Sequence, residues 1–381
     1  MLLLSLLLAS SAAGLALARP ATFFNDRPLL DVNGEYVDAH DGSLVERGGV
    51  YFLYGERYGT LTGSIFPTQW APWPQLAVYT SPDLMTWTDR GDPLAGELAN
   101  YTNVTKWMPT VLWSEARQQF VMWVCRKGWT VATSDDGVHF QVQTEHTLSR
   151  FGFQNNDGTG ILFDDDGQGY IAFAATGHDH QVSIERLTPD LLDTTRENVT
   201  GFFPDRGVEA PGLFKRAGTY YLTYGACCCA CRGGGGVVVF TASNISGPWV
   251  RQAYNPDVNC RNAEAEKCTG DPGSPTRGDL VYNAQFWGPA SIPLANGTVQ
   301  VVYLGRRWLS GFGNNIECDD MCGNGGGQGG PASCESPAYL LRTDFSVFHP
   351  LTFTANGSVA PFTPLASWTI DIPDALAAAA E

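Results

Sequence analysis

The residues best placed to do chemistry in this chain are acids that stand just ahead of apolar strands. Glu209 opens "EAPGLFKRAGTYYLTYG" (209–225), Asp157 lies in "NNDGTGILF" and Asp41 in "AHDGSLV". Gln285 in "NAQFWGPA" and Met108 in "WMPTV" hold the corresponding places in two further segments. A carboxylate beside a core strand is paired, solvated in a turn, or there to handle a proton. One such acid alone reads as a turn residue, as the run "DDDG" (164–167) does. Three at matching places, brought together by the fold, suit hydrolysis of a glycosidic bond. That reaction needs a protonated acid for the leaving oxygen and a second group acting from the other side of the sugar. A third carboxylate nearby raises the acid's pKa by like-charge repulsion.

On this reading Glu209 is the general acid and Asp157 tunes it. Asp41 or Gln285 serves the water side, with Asp38 as the fallback for Asp41. An ionised aspartate accepts a proton better than an amide does, so Asp41→Asn is expected to cost more activity than Gln285→Ala. An inverting pair of carboxyls stands about 6.5–9.5 Å apart and a retaining pair about 5 Å. The inverting spacing is expected between Glu209 and Asp41. Trp70, Trp73 and Trp308, in expected loops, offer apolar faces on which a sugar can stack.

The elements that must position these residues are strands. A turn followed by a β-branched or aromatic run occurs five times: "RGGVYFLYGE" (47–56), "EARQQFVMWV" (115–124), "DDGQGYIAFA" (165–174), "RAGTYYLTYG" (216–225) and "ANGTVQVVYLG" (295–305). Each copy is preceded by a short apolar strand and followed by another, such as "AVYTSPDLMTWT" (77–88). Units of at least three antiparallel strands at this period predict an all-β chain folded as a five-bladed β-propeller. The alternative is a β-sandwich with long loops. In a propeller the innermost strand of each blade lines a central channel. The residues leading those strands (Asp41, Met108, Asp157, Glu209 and Gln285) then converge at one mouth. The propeller domain is expected over residues 28–373.

Composition narrows the partners. The 381 residues carry a net charge of −16, which speaks against nucleic acid and anionic membrane surfaces. "MLLLSLLLASSAAGLALARP" reads as a signal peptide over 1–18, cut after Ala18 at "ALA". A retained signal anchor is the alternative. No later segment is apolar for long enough to span a bilayer. Six N-x-S/T sequons, at Asn100, Asn103, Asn198, Asn244, Asn296 and Asn356, favour a secreted glycoprotein. The ten cysteines then read as disulfide candidates, nine of them in polar or glycine-rich stretches such as "ACCCACRGGGG". A metal cluster at Cys227–Cys231 is the sharper alternative. The glycine runs lack the Lys-Ser/Thr ending of a phosphate loop.

With these residues in hand, the chain resembles glycoside hydrolase family 43, a family of five-bladed propellers with inverting chemistry. The resemblance runs from about Asp38 onward and is most specific at "EAPGLFKRAGTYYLTYG". It implies Asp41 as base, Asp157 as pKa modulator and Glu209 as general acid. More narrowly, "DAH" (38–40), "LYGE" (53–56), "SPDLMTW" (81–87), "EAPGLFKR" (209–216), "NAQ" (283–285) and "LGRRW" (304–308) are similar to the exo-β-1,3-galactanase branch. That branch implies Glu56, Trp308, Asp38 and His40 as substrate-binding residues. It has Gly at the usual base position and uses a fifth-blade Gln instead; this chain has both Asp41 and Gln285. It also has Glu-Arg-Pro where this chain reads Trp107-Met108-Pro109. The resemblance implies a secreted, monomeric, exo-acting enzyme on a polysaccharide or oligosaccharide, with galactosyl targets preferred over arabinosyl and xylosyl ones. A carbohydrate-binding propeller without catalysis is the alternative. No cofactor is expected. Ca²⁺ accompanies some relatives, but no calcium loop is present in this sequence.

Overall fold

The structure, a computed structural model, describes residues 17–59, 75–97, 106–125, 128–152, 157–226, 235–257, 281–282, 284–308, 310 and 341–374. Most of the signal segment, Trp70, Trp73, Asn100, Asn103, Asn283 and nine of the cysteines lie outside these residues, as does the side chain of Asp157.

The strands form five antiparallel sheets in chain order, each pairing only with its sequence neighbours. The first holds β2 (Leu44–Arg47), β3 (Val50–Arg57), β4 (Gln75–Ser81) and β5 (Thr88–Asp89). The second holds β6 (Trp107–Ser114), β7 (Gln119–Cys125), β8 (Trp129–Ser134) and β9 (Gln141–Thr147). The third holds β10 (Asp157–Phe163), β11 (Gly169–Ala175), β12 (Gln181–Leu187) and β13 (Thr194–Phe202). The fourth holds β14 (Val208–Arg216), β15 (Thr219–Ala226), β16 (Val238–Ala242) and β17 (Val250–Arg251). The fifth has three strands among the described residues: β18 (Gln285–Pro293), β19 (Val299–Arg307) and β20 (Phe345–Pro350). This is the five-bladed propeller expected from the repeats.

The second strand of each blade is apolar on both faces because each face meets a different neighbour. In β3, Phe52 and Tyr54 join Val111, Phe120 and Met122 of blade two. The alternate residues Tyr51 and Leu53 join Ile292, Val302 and Leu304 of blade five. Three further clusters fill the seams between blades two and three, three and four, and four and five. Five clusters for five seams close the ring. Fully burying one large apolar side chain contributes about 1.5–3 kcal/mol, and among the described residues every seam holds nine or more of them.

A sixth, two-stranded sheet fastens the closing seam. β1 (Ala18–Phe24) pairs antiparallel with β21 (Ser367–Pro373), from Ala18 against Pro373 to Phe24 against Ser367. β1 thus lies ahead of the expected start at residue 28. Phe23 stacks on Trp368 at 4.5 Å. Asn25 donates to the Phe348 and Leu365 carbonyls and accepts from the Phe348 amide, which binds the pair to blade five. Arg19 reaches Asp83 of blade one at 2.6 Å.

The described sequons fall into two kinds. Asn244, Asn296 and Asn356 are exposed, each in a turn and each accepting the amide of the residue two places on. The registers put these turns at the strand ends opposite Glu209 and Gln285. Asn198 is half-buried in β13, and its amide nitrogen donates to Ser183. Passed through a eukaryotic secretory pathway, the chain should carry glycans at Asn244, Asn296 and Asn356 and none at Asn198. Glycopeptide mass spectrometry after enzymatic deglycosylation reads this directly. A fully occupied Asn198 contradicts it.

Candidate active site

The mouth is shaped by one irregularity used four times. His40 pairs with Glu56 and Ser43 with Tyr54 in blade one. The equivalent steps are Trp107 to Thr110, Asp157 to Gly160, and Glu209 to Gly212. In each, three residues on the inner strand span two on its partner, which is a β-bulge. The extra residue takes a left-handed conformation: Asp41 (φ 54°), Met108 (48°), Gly158 (70°) and Ala210 (53°). Adjacent bulges touch. A Cβ on Gly158 would lie 2.9 Å from the Ala210 backbone, so no larger residue fits there without displacing the acid's neighbour.

The bulge corrects the expected alignment of site residues. Asp157 and Glu209 do share one blade position, together with His40 and Trp107. Asp41 and Met108 stand one residue later. A bulge adds a residue that no hydrophobic pattern announces.

Glu209 is 5% exposed and Gln285 is 8% exposed. They meet across the seam of blades four and five, the Gln285 amide donating to Glu209 Oε1. Gln285 Oε1 accepts from Trp308 Nε1 at 2.7 Å. Trp308 covers the Arg306 guanidinium, 3.7 Å from the ring centre, and Tyr58 covers it from another side at 4.4 Å. Arg306 is fully buried and binds Asp41 at 3.0 Å and Asp344 at 2.7 Å. The Tyr58 hydroxyl lies 3.2 Å from Asp41 Oδ2 and 2.7 Å from Glu56 Oε2. Glu56 Oε1 accepts the Met108 amide at 2.9 Å. One chain of contacts therefore runs from the blade-four acid through blades five and one to blade two. Asp157 holds its backbone place in β10, opposite Ala174.

The residues expected to bind substrate are occupied with the protein itself. Asp38 is 5% exposed and accepts the Tyr58 and Gly59 amides at 2.9 and 2.7 Å, fixing the exit from β3. His40 is 1% exposed, with Nε2 3.6 Å from Asp38 Oδ1 and its ring against that of Tyr58. Glu56 is 3% exposed and Trp308 is 4% exposed, each with the partners given above. Asp41 spends Oδ2 on Arg306 and Tyr58, and its Oδ1 is sealed from solvent. Below the mouth the inner strands enclose a channel of about 330 Å³, lined by residues such as Ser43, Thr110, Thr159, Gly160, Leu213 and Pro289.

Burial dominates the electrostatics. It pushes the Glu56 carboxyl up to about 8, with the nearby Asp41 charge adding to the rise. It also raises Asp41, against the pull of Arg306, and raises Asp38 against two backbone amides. Burial and the Arg306 charge hold His40 well below its usual range, so the ring is neutral. Tyr58 has one hydroxyl proton for two acids. It can donate to only one of them at a time, so Asp41 and Glu56 compete for it.

Arg306, Tyr58 and Asp344 were not singled out in the sequence. Arg306 had a signal: an arginine inside an apolar strand requires a buried counter-charge. Tyr58 and Asp344 had none beyond lying near motif residues.

The fold and this acid-centred mouth define a propeller-type glycoside hydrolase. Residues 37–274 match the family described as "Glycosyl hydrolases family 43", and the chain belongs to that family. No curated protein matches. Among solved structures, the chain is similar to an exo-β-1,3-galactanase from Phanerochaete chrysosporium bound to β-1,3-galactotriose. Identity is 18%, coverage is 93% of this chain and 69% of that one, and the TM-score is 0.65. An exo-β-1,3-galactanase from Clostridium thermocellum is 20% identical over 92% and 68%, with a TM-score of 0.64. A family 43 β-1,3-galactosidase bound to galactodeoxynojirimycin is 18% identical over 91% and 99%, with a TM-score of 0.66. These likenesses establish the fold.

Glu56 makes stability depend on pH. The folded carboxyl titrates at about 8 instead of its usual 4.5. Between those values the native protein holds a proton that the unfolded chain releases. Stability is therefore lost as pH rises through that window. Urea unfolding from pH 5 to pH 8 should show this fall, and Glu56→Gln should flatten it. An unchanged slope in the variant contradicts the assignment.

Proposed function

We propose that this family 43 hydrolase is an inverting, exo-acting enzyme that removes terminal galactosyl units from β-1,3-galactan outside the cell. The observation that carries the reading is the contact of Glu209 with Gln285 at the bulged mouth. It joins a buried acid to the residue that replaces the usual base in the galactanase branch. The galactan-active proteins of the same fold support the substrate. The signal-like leader and the exposed sequons support secretion.

In this mechanism Glu209 gives its proton to the glycosidic oxygen as the C–O bond breaks. Water attacks the anomeric carbon from the opposite face, its proton passes to solvent, which later returns one to Glu209, and the product has inverted configuration. Gln285, in direct contact with Glu209, orients the acid through its amide while its carbonyl oxygen accepts from Trp308. The Asp41 carboxylate neutralises Arg306, which reverses the order expected from proton affinity alone. Asp41→Asn should cost mainly stability, since removing one partner of a buried ion pair costs about 3–5 kcal/mol. Assayed well below its melting temperature, it should keep more activity than Gln285→Ala. The opposite order would return Asp41 to the base position.

Digestion of β-1,3-galactan, arabinan and xylan, followed by NMR of the first product, tests the activity. Galactose released from chain ends as the α-anomer is expected. Arabinose or xylose would redirect the substrate, β-galactose would make the enzyme retaining, and no release from any polymer or aryl glycoside would leave a carbohydrate-binding propeller. Glu209→Gln keeps the shape but removes the proton, and should cost about 10²–10⁴-fold. The loss should shrink for aryl galactosides with good leaving groups, which need no protonation. A variant as active as the native enzyme on all substrates would refute the acid assignment.

A further inference from the structure

We propose that Trp308 is a positioning residue that biases which oxygen of Glu209 carries the catalytic proton. The inference rests on Glu209 being the general acid. The two ends of a glutamine amide have the same shape, so the chemistry of its neighbours decides its orientation. An indole N–H can only donate. Trp308 Nε1 lies 2.7 Å from one end of the Gln285 amide, so that end is the carbonyl oxygen. The other end is the NH₂ group, which also can only donate, and it meets Glu209 Oε1. Oε1 is therefore an acceptor, and an oxygen without a proton accepts better than one that carries it. The contact thus favours the proton of the acid form on Oε2.

The indole is well held for this task. It is 4% exposed and lies over the guanidinium of Arg306, itself gripped by Asp41 and Asp344. Tyr58 meets it edge-on, with ring centres 6.4 Å apart. A ring so packed cannot swing its N–H elsewhere, so the amide of Gln285 cannot turn over without leaving that N–H unpaired.

The arrangement has a sign. An amide donor on a carboxylate favours the ionised form, whereas a carbonyl facing a carboxyl favours the protonated form. Trp308→Phe keeps a ring over Arg306 but removes the N–H, which frees the amide to turn its oxygen toward Glu209. Carboxyl carbons of ¹³C-labelled Glu can be titrated by NMR, with Glu209 assigned by its missing signal in Glu209→Gln. The midpoint of Glu209 should rise by about one pH unit in Trp308→Phe, and the alkaline limb of kcat/KM should move up with it. Trp308→Leu, which also lacks the N–H, should shift it in the same direction should the phenyl ring pack badly. In a Gln285→Met background, Trp308→Phe should add nothing, because the two residues act through one contact. An unchanged midpoint in a folded Trp308 variant overturns the proposal, as does an equal shift in the Gln285→Met background. The titration needs no turnover. A raised midpoint in a protein that cleaves no glycoside would support the Trp308 role and refute the hydrolase reading, while an unmoved midpoint in an active enzyme would do the reverse.

Discussion

The mouth of this propeller is organised around one buried cation. Arg306 is out of contact with solvent, held by Asp41 and Asp344 and covered by the rings of Tyr58 and Trp308. Dehydrating a guanidinium is expensive, and its attraction to partner carboxylates offsets that cost only with good geometry. Apolar residues of similar volume are often at least as stable in such a place. What the cation supplies is position. It stands in β19 directly across from Gln285 and binds blade five to blade one where the ring closes. The rest of that seam is apolar, with Leu44, Ile292, Val302 and Leu304 packed below. The seam is thus cohesive along its length and directional at its top.

The acid depends on this arrangement at second hand. Glu209 belongs to blade four, the amide it contacts to blade five, and the acid that balances Arg306 to blade one. No single blade contains a functioning unit. Blades one to four carry the same bulge beside their site residues, and the left-handed residue in it bends the strand end. Such conformations cost non-glycine residues of order 1–3 kcal/mol. Asp41, Met108 and Ala210 all adopt them at the mouth.

The fold was legible in the sequence because a propeller advertises itself twice. The turn-plus-strand unit recurs, and second strands such as "YFLYG" and "YYLTYG" are apolar on both faces, which only a strand between two neighbours requires. The acids were legible as carboxylates ahead of such strands. Their fine placement was not. A bulge shifts Asp41 by one residue relative to Glu209 without altering the polar or apolar character of either segment. Asp38, His40, Glu56 and Trp308 stand close to the site in sequence, yet they turn inward to amides, rings and the Arg306 cluster. Proximity to a motif does not tell whether a side chain faces the ligand or the protein. Trp308 shows the difference most plainly: an indole face suits a sugar, but here it rests on a guanidinium while its N–H reaches an amide.

The strand pair that fastens the ring has a mechanical consequence. β1 and β21 run antiparallel, with Ala18 beside Pro373, so the outer ends of both strands lie side by side. Tension applied between those ends would load the rungs of the pair one after another. Hydrogen bonds broken in series resist far less force than bonds sheared together. The ring would therefore peel open from this clasp, freeing Phe23 from Trp368 before any blade is disturbed.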